Sequence, residues 1–183
     1  MNKKLFFSIM LVMALVLGII GCDNGPSDED TWSDVTSLSQ VNGRWKYPSS
    51  VSFTSEDITI TAKYNNYIVT FNSAAKTMSM SGSVTETISG GNIDELWPQL
   101  KEDLGNTFGQ QGATVTFNDA NHSITVTYNN YSQALTDEIE ASIIWLYKIN
   151  QNRSKLKYNL QDILHIISSD IIIQGTEIIL TKL

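Results

Sequence analysis

Side chains alternate with a period of two over most of this chain, and that alternation limits its fold more than any other feature. Ile58, Ile60, Ala62 and Tyr64 are separated by Thr59, Thr61 and Lys63, and Tyr67, Val69 and Phe71 resume the same phase after Asn65-Asn66. Successive strand side chains point to opposite faces, so each run has an apolar and a polar side. A two-residue loop keeps its flanking residues on one face, which predicts a hairpin turning at Asn65-Asn66. Val115 and Phe117, then Ile124, Val126 and Tyr128, repeat the pattern around a turn at Asn118, Asp119, Ala120 and Asn121, and a second Tyr-Asn-Asn-Tyr occupies residues 128–131. Ile143, Trp145, Tyr147 and Ile149 form the apolar face of another predicted strand, which turns at residues 150–153 and is answered by Leu156, Tyr158 and Leu160. Residues 171–173 and 178–180 close the chain around a turn at Gln174-Gly175. Roughly eight to ten strands, nearly all sequential hairpins, predict an all-β domain: an up-and-down meander closed into a barrel, or a sandwich.

Two segments change the period. In residues 31–42, Thr31 can cap, Asp34 follows three positions on, Trp32, Val35 and Leu38 recur every three residues, and Gly43 can stop the segment, so a short N-terminal helix is expected. In mid-chain, Asn92, Ile93, Asp94 and Glu95 have capping-box spacing, Ile93, Leu96, Trp97, Leu100 and Leu104 share one helical face, and Gly105 is the expected stop. Pro98 either kinks this helix or marks its proper start. Residues 162–169 fit a short helix with His165 facing water, or a strand with His165 beside Ile163 and Ile167.

The N-terminus carries a different signal. Lys3 and Lys4 precede an almost unbroken apolar run over residues 5–20, which ends at Ile19-Ile20-Gly21-Cys22. A basic end and an apolar stretch of about 16 residues, short for a stable span, have the layout of a secretory signal peptide. The segment resembles the bacterial lipoprotein type. That resemblance implies cleavage after Gly21 and attachment of a diacylglycerol to Cys22, the single cysteine of the chain. Two or three acyl chains hold a protein on a bilayer, because each buried methylene contributes roughly 0.8 kcal/mol. The expected organisation is a signal peptide over residues 1–21, a lipidated N-terminus and acidic flexible tether over 22–30, and one β-rich domain over 31–183. The location implied is the extracytoplasmic side of the cell membrane or the outer membrane. Asp23 resembles an inner-membrane retention signal used in some bacterial lineages, and the choice of membrane stays open.

Cleavage leaves 162 of the 183 residues, enough for one domain of ordinary size. It removes two of the 12 basic residues and none of the 19 acidic ones, for a balance of −9. So acidic a chain is unsuited to nucleic acid, which needs clustered Lys and Arg, and the membrane is expected to hold it only through the lipid on Cys22. With its one thiol acylated, the domain forms no disulfide and depends on its core.

Gly43-Arg44-Trp45, directly after the predicted short helix, resembles the Gly-x-Trp signature that opens lipocalins and lipocalin-like bacterial lipoproteins. The resemblance implies that Trp45 closes one end of a barrel and that Trp32 is part of the plug. It covers about residues 31–47. The chain departs from the pattern in having no arginine after Arg153 to stack on the tryptophan, and in placing a helix near residues 92–105.

Enzyme signatures are missing: there is no Gly-x-Ser-x-Gly elbow, no Gly-rich phosphate loop and no His-Glu-x-x-His. The two histidines, His122 and His165, are far apart, and no cofactor or metal is expected. His122 is expected to be a solvated turn residue. The run over residues 77–88 is more informative, because Met78, Met80, Gly82, Val84, Glu86 and Ile88 share one phase. Either Met78, Met80 and Glu86 line one wall of a pocket, or Gly82 marks a bulge that shifts the register and turns Glu86 to solvent. The leading expectation is a non-enzymatic, lipid-anchored binding protein, holding a small apolar ligand in a cavity lined by Met78, Met80, Glu86, Trp145 and Tyr147. The alternative is an envelope interaction module without a cavity, contacting an envelope or host protein through exposed hairpin tips at residues 64–67 and 128–131.

Overall fold

The computed structural model describes residues 31–55, 58–110, 113–159 and 177–183. The signal segment, Cys22, the tether, His165 and the ambiguous stretch around it, and residues 171–173 lie outside the described residues. The domain is dominated by one ten-stranded antiparallel sheet. Its strands are β1 (Trp32–Asp34), β2 (Gly43–Lys46), β3 (Ser50–Ser55), β4 (Ile58–Asn72), β5 (Thr77–Gly90), β6 (Thr114–Asn118), β7 (Ser123–Ala134), β8 (Lys148–Asn150), β9 (Lys155–Asn159) and β10 (Glu177–Lys182), with helices α1 (Ile93–Gln110) and α2 (Asp137–Leu146). Among the described residues no helix is long and apolar enough to cross a membrane.

The strands do not form the expected closed meander. Their order is β1-β8-β9-β10-β2-β4-β5-β7-β6, with β3 beside β4, and the terminal strands β1 and β6 do not pair, so the sheet is open. β6 also reverses the sequential order: the chain leaves β5 through α1, and β7 rather than β6 pairs with β5. The hydrogen-bonding edge that the shorter β6 would need is taken by the twelve-residue β7.

Neither Tyr-Asn-Asn-Tyr is a hairpin tip. β4 runs unbroken through residues 64–67, and Asn65 and Ile68 pair with Ser83 and Ser81, so two residues of β4 oppose Gly82 alone. On the other side Tyr128 and Tyr131 of β7 pair with Gly82 and Met80, so two residues of β7 oppose Ser81 alone. Both tetrapeptides are β-bulges. An extra residue in a bulge and a two-residue loop both need a tolerant backbone, here Asn66 at φ 50, and both preserve the phase of the flanking residues. What decides between them is the partner: β5, fourteen residues long, pairs with β4 on both sides of the bulge. The chain actually turns at residues 73–76, where Asn72 Oδ1 accepts from Ala75 N–H at 3.0 Å.

Three further segments differ from expectation. Residues 31–42 form β1 and a 3₁₀ turn (Leu38–Gln40) rather than one helix, because β1 pairs with β8 from Trp32 opposite Asn150 to Asp34 opposite Lys148. Ser37, not Thr31, makes the capping box, with Gln40 as its partner. The three-residue spacing survives as burial of Val35, Leu38 and Val41. The predicted strand through Trp145 is α2 followed by β8: Thr136 Oγ1 caps by accepting from Ile139 N–H, and Tyr147 ends the helix in extended conformation. Helix α1 starts at Ile93, as its cap spacing predicts, then passes both Pro98 and Gly105 to reach Gln110. A proline in a helix interior costs about 3 kcal/mol. Ile93, Leu96, Trp97, Leu100 and Leu104 offset it, since all five are buried and each contributes roughly 1.5–3 kcal/mol.

Candidate functional site

β5 runs between β4 and β7, and its even-numbered residues face the core. Glu86 is one of them. Its register neighbours are Ala62 on β4 and Ile124 on β7, Val84 and Ile88 flank it along the strand, and it is 0 % exposed. Neither carboxyl oxygen has a hydrogen-bond partner among the described residues. Of the two alternatives, a bulge of β5 at Gly82 would turn this side chain outward, but the extra residues lie on β4 and β7. β5 itself gains none, so its phase continues from Met80 to Ile88 and Glu86 stays inside.

Tyrosines surround that interior. All seven in the chain belong to one network of ring contacts and hydrogen bonds. Tyr47 packs on Tyr64 at 5.2 Å and edge-on against Tyr67 at 5.1 Å, Tyr67 meets Tyr128 at 6.0 Å, and Tyr128 meets Tyr131 at 6.1 Å. Hydrogen bonds between the hydroxyl of Tyr47 and those of Tyr147 and Tyr158 join the second group, whose rings are 5.2 Å apart. Burial pushes the phenols of Tyr47, Tyr64, Tyr67 and Tyr158 well above their usual range and that of Tyr147 up to about 12, so all remain neutral at ordinary pH. A charge on Glu86 adds to the effect at Tyr64, Tyr67 and Tyr128, which places its carboxyl within electrostatic reach of those three.

The sequence-predicted residues divide. Met80 is buried and its sulfur accepts from the Tyr67 hydroxyl at 3.2 Å. Tyr147 is buried between Phe71 and Tyr158. Met78 is partly buried against the core, in register with Phe71. Trp145 does not line the interior: it is 62 % exposed on α2, because helical rather than strand geometry turns it away from Ile143 and Tyr147. Cys22 lies outside the described residues. Tyr64, Tyr67 and Tyr128, expected on exposed tips, are buried, whereas Asn65, Asn66 and Asn129 of the same segments are exposed. The signal that would have found the three tyrosines is their phase, which matches the apolar face on both sides of each bulge.

His122 is also placed differently from the expected free turn residue. Its Nε2 lies 3.1 Å from Asp94 Oδ1, and its ring stands edge-on to Trp97 at 5.2 Å. Beside it, Asp119 accepts from Lys101 Nζ and Trp97 Nε1, both at 2.7 Å, and these bonds hold its carboxyl below the usual range. Asn118 Oδ1 accepts from Ala120 N–H and Asn121 Oδ1 from Ser123 Oγ, bonds that close the turn on itself. This cluster pins α1 to the β6–β7 turn. Among the described residues, no three His, Cys, Asp or Glu side chains converge on a metal position.

Burial pushes the Glu86 carboxyl well above its usual value near 4.5. Below about pH 4.5 folded and unfolded chains both carry the proton, and above it the unfolded chain loses the proton while the folded one keeps it. Stability contributed by the retained proton is therefore fully present below that value and falls as pH rises toward the folded-state pKa. Glu86→Met is expected to remove this slope and to stabilise the protein at pH 7 by about 1–3 kcal/mol, because a methionine needs no hydrogen bond there. Urea unfolding of both proteins between about pH 4.5 and 8 reads the difference; equal pH dependence in the two would show that Glu86 is not buried as described.

Comparison with family models, with curated proteins and with solved structures finds no match.

Proposed function

We propose that this protein is a lipid-anchored lipoprotein of the bacterial envelope that binds a small, largely apolar molecule against the inner face of its sheet. The observation that carries the proposal is Glu86, a fully buried carboxyl with both oxygens unpartnered among the described residues, on a face otherwise built of aromatic and aliphatic side chains. A stable domain gains nothing from such a group, since an unsatisfied buried polar atom costs roughly 1–3 kcal/mol. Binding sites combine an apolar lining with a few convergent polar groups in this way. Met78, Met80 and Tyr147 supply the lining, and the thioethers adapt to irregular shapes. The anchor rests on the lipobox ending at Cys22, and the membrane on which it sits stays open.

Two contacts support relating the domain to lipocalin-like lipoproteins despite its open sheet. Trp45 follows the 3₁₀ turn and donates its indole N–H to Val41 O at 2.6 Å, and Lys182 of β10 holds its ammonium 5.3 Å over the Trp45 ring. This lysine over the ring resembles the arginine that stacks on the tryptophan in that family. In a closed barrel, β6 would have to meet β1, and here it does not.

Native mass spectrometry of the full chain, purified from its envelope in detergent, tests both halves of the proposal. The expected spectrum carries the acyl mass on Cys22 and a stoichiometric small molecule that solvent extraction releases. A protein that stays empty after exposure to envelope extract rejects the binding role, and an unmodified Cys22 rejects the anchor.

A further inference from the structure

We propose that the bound molecule carries an ammonium group, which pairs with Glu86 between the rings of Tyr64, Tyr67 and Tyr128. The inference rests on the binding role proposed above and names the chemistry of the ligand. Ionised alone among Ala62, Val84, Ile88 and Ile124, the carboxylate would be strongly unfavourable, and protonated it leaves a donor and an acceptor unused. No cation of the described protein reaches it. Lys76, Lys101, Lys148 and Lys157 pair with other carboxylates at the surface, and Lys182 lies over Trp45. A ligand cation would supply the missing counter-charge and donors together.

The rings favour a cation over a neutral hydroxyl or an acid. Tyr64 and Tyr67 are 5.7 Å apart and tilted by 53°, and Tyr67 and Tyr128 are 6.0 Å apart at 69°, so the three rings meet edge to face rather than in a parallel stack. Such aromatic faces attract alkylammonium groups within about 6 Å, and more strongly when water is excluded. A ligand carboxylate would instead face Glu86 and the negative faces of three rings.

Phenethylammonium, 2-phenylethanol and 3-phenylpropionate share one apolar body and differ in charge, and isothermal titration of the full chain with each at pH 7 tests the inference. The ammonium probe is expected to bind at least about tenfold more tightly than the alcohol, with the anion weakest, and to release protons as Glu86 ionises, read from the dependence of the heat on buffer. In Glu86→Gln, folded by circular dichroism, the preference should shrink to within about twofold and the proton release should vanish. Equal or tighter binding of the alcohol or the anion overturns the inference and leaves the binding role intact. If no probe binds, the inference is likewise overturned; a neutral or acidic molecule in the native spectrum then preserves the binding role, and an empty protein removes both.

Discussion

Gly82→Ala is expected to destabilise the domain by about 3–5 kcal/mol, a large part of the stability of a chain this size. Gly82 adopts φ +97, where a side chain is strained, and an added Cβ would lie 2.3 Å from Asn66 O, 2.6 Å from Asn66 C and 2.8 Å from Asn65 O. All three atoms are backbone, so no rotamer change relieves the overlap. The glycine also lies opposite the β4 bulge and pairs with Tyr128 at the edge of the β7 bulge, so displacing it disturbs the pairing of the three longest strands together. Gly105→Ala is the matched control. Its Cβ would meet the Phe117 ring at an ordinary 3.9 Å, and in the interior of α1 alanine is expected to add about 0.5–1 kcal/mol. Urea unfolding of the two variants should therefore move the midpoint in opposite directions. A Gly82→Ala loss below about 1 kcal/mol would mean that the Asn65–Asn66 backbone does not press this closely on the glycine.

Trp45→Ala is expected to cost about 3–5 kcal/mol, the range for removing a fully buried large aromatic. The ring is 0 % exposed and ties together three parts of the chain. Its backbone pairs with both β4 and β10, its indole N–H closes the 3₁₀ turn onto β2 through Val41 O, and its face carries Lys182. Trp45→Phe keeps most of the volume and loses the bond to Val41 O, which isolates a smaller loss of about 1–2 kcal/mol. Thermal unfolding followed by circular dichroism separates the two. For a domain of this size each kcal/mol lowers Tm by about 2–4 °C. If the alanine variant lost no more than the phenylalanine one, the tryptophan would owe its effect to the hydrogen bond and not to packing.

Much of the inner face was legible from residue order. The phases of Ile60, Ala62, Tyr64, Tyr67, Val69 and Phe71, of Ile124, Val126 and Tyr128, and of Leu156 and Tyr158 all match the buried side. So does the apolar stripe of α1. Misplacements arose where two local structures share one pattern. Ile143, Trp145, Tyr147 and Ile149 alternate as a strand does, yet Ile139 and Ile143, four apart behind the Thr136 cap, fit a helix equally well, and the helix placed Trp145 in solvent. Trp32, Val35 and Leu38 gave a helical spacing to a segment that pairs with β8 instead.

Residue order alone determined that the domain is built of strands, which side of each strand is apolar, and where a carboxyl interrupts that side. Periodicity is a property of one segment and its burial, and it needs no knowledge of a neighbour. Tertiary structure decided the rest: that Tyr-Asn-Asn-Tyr is a bulge and not a turn, that β7 rather than β6 borders β5, that β1 and β6 stay apart, and that Glu86 remains inside with no hydrogen-bond partner among the described residues. Each of these depends on which backbone lies across the ladder, and hydrogen bonding between strands distant in sequence leaves no mark on the spacing of either one.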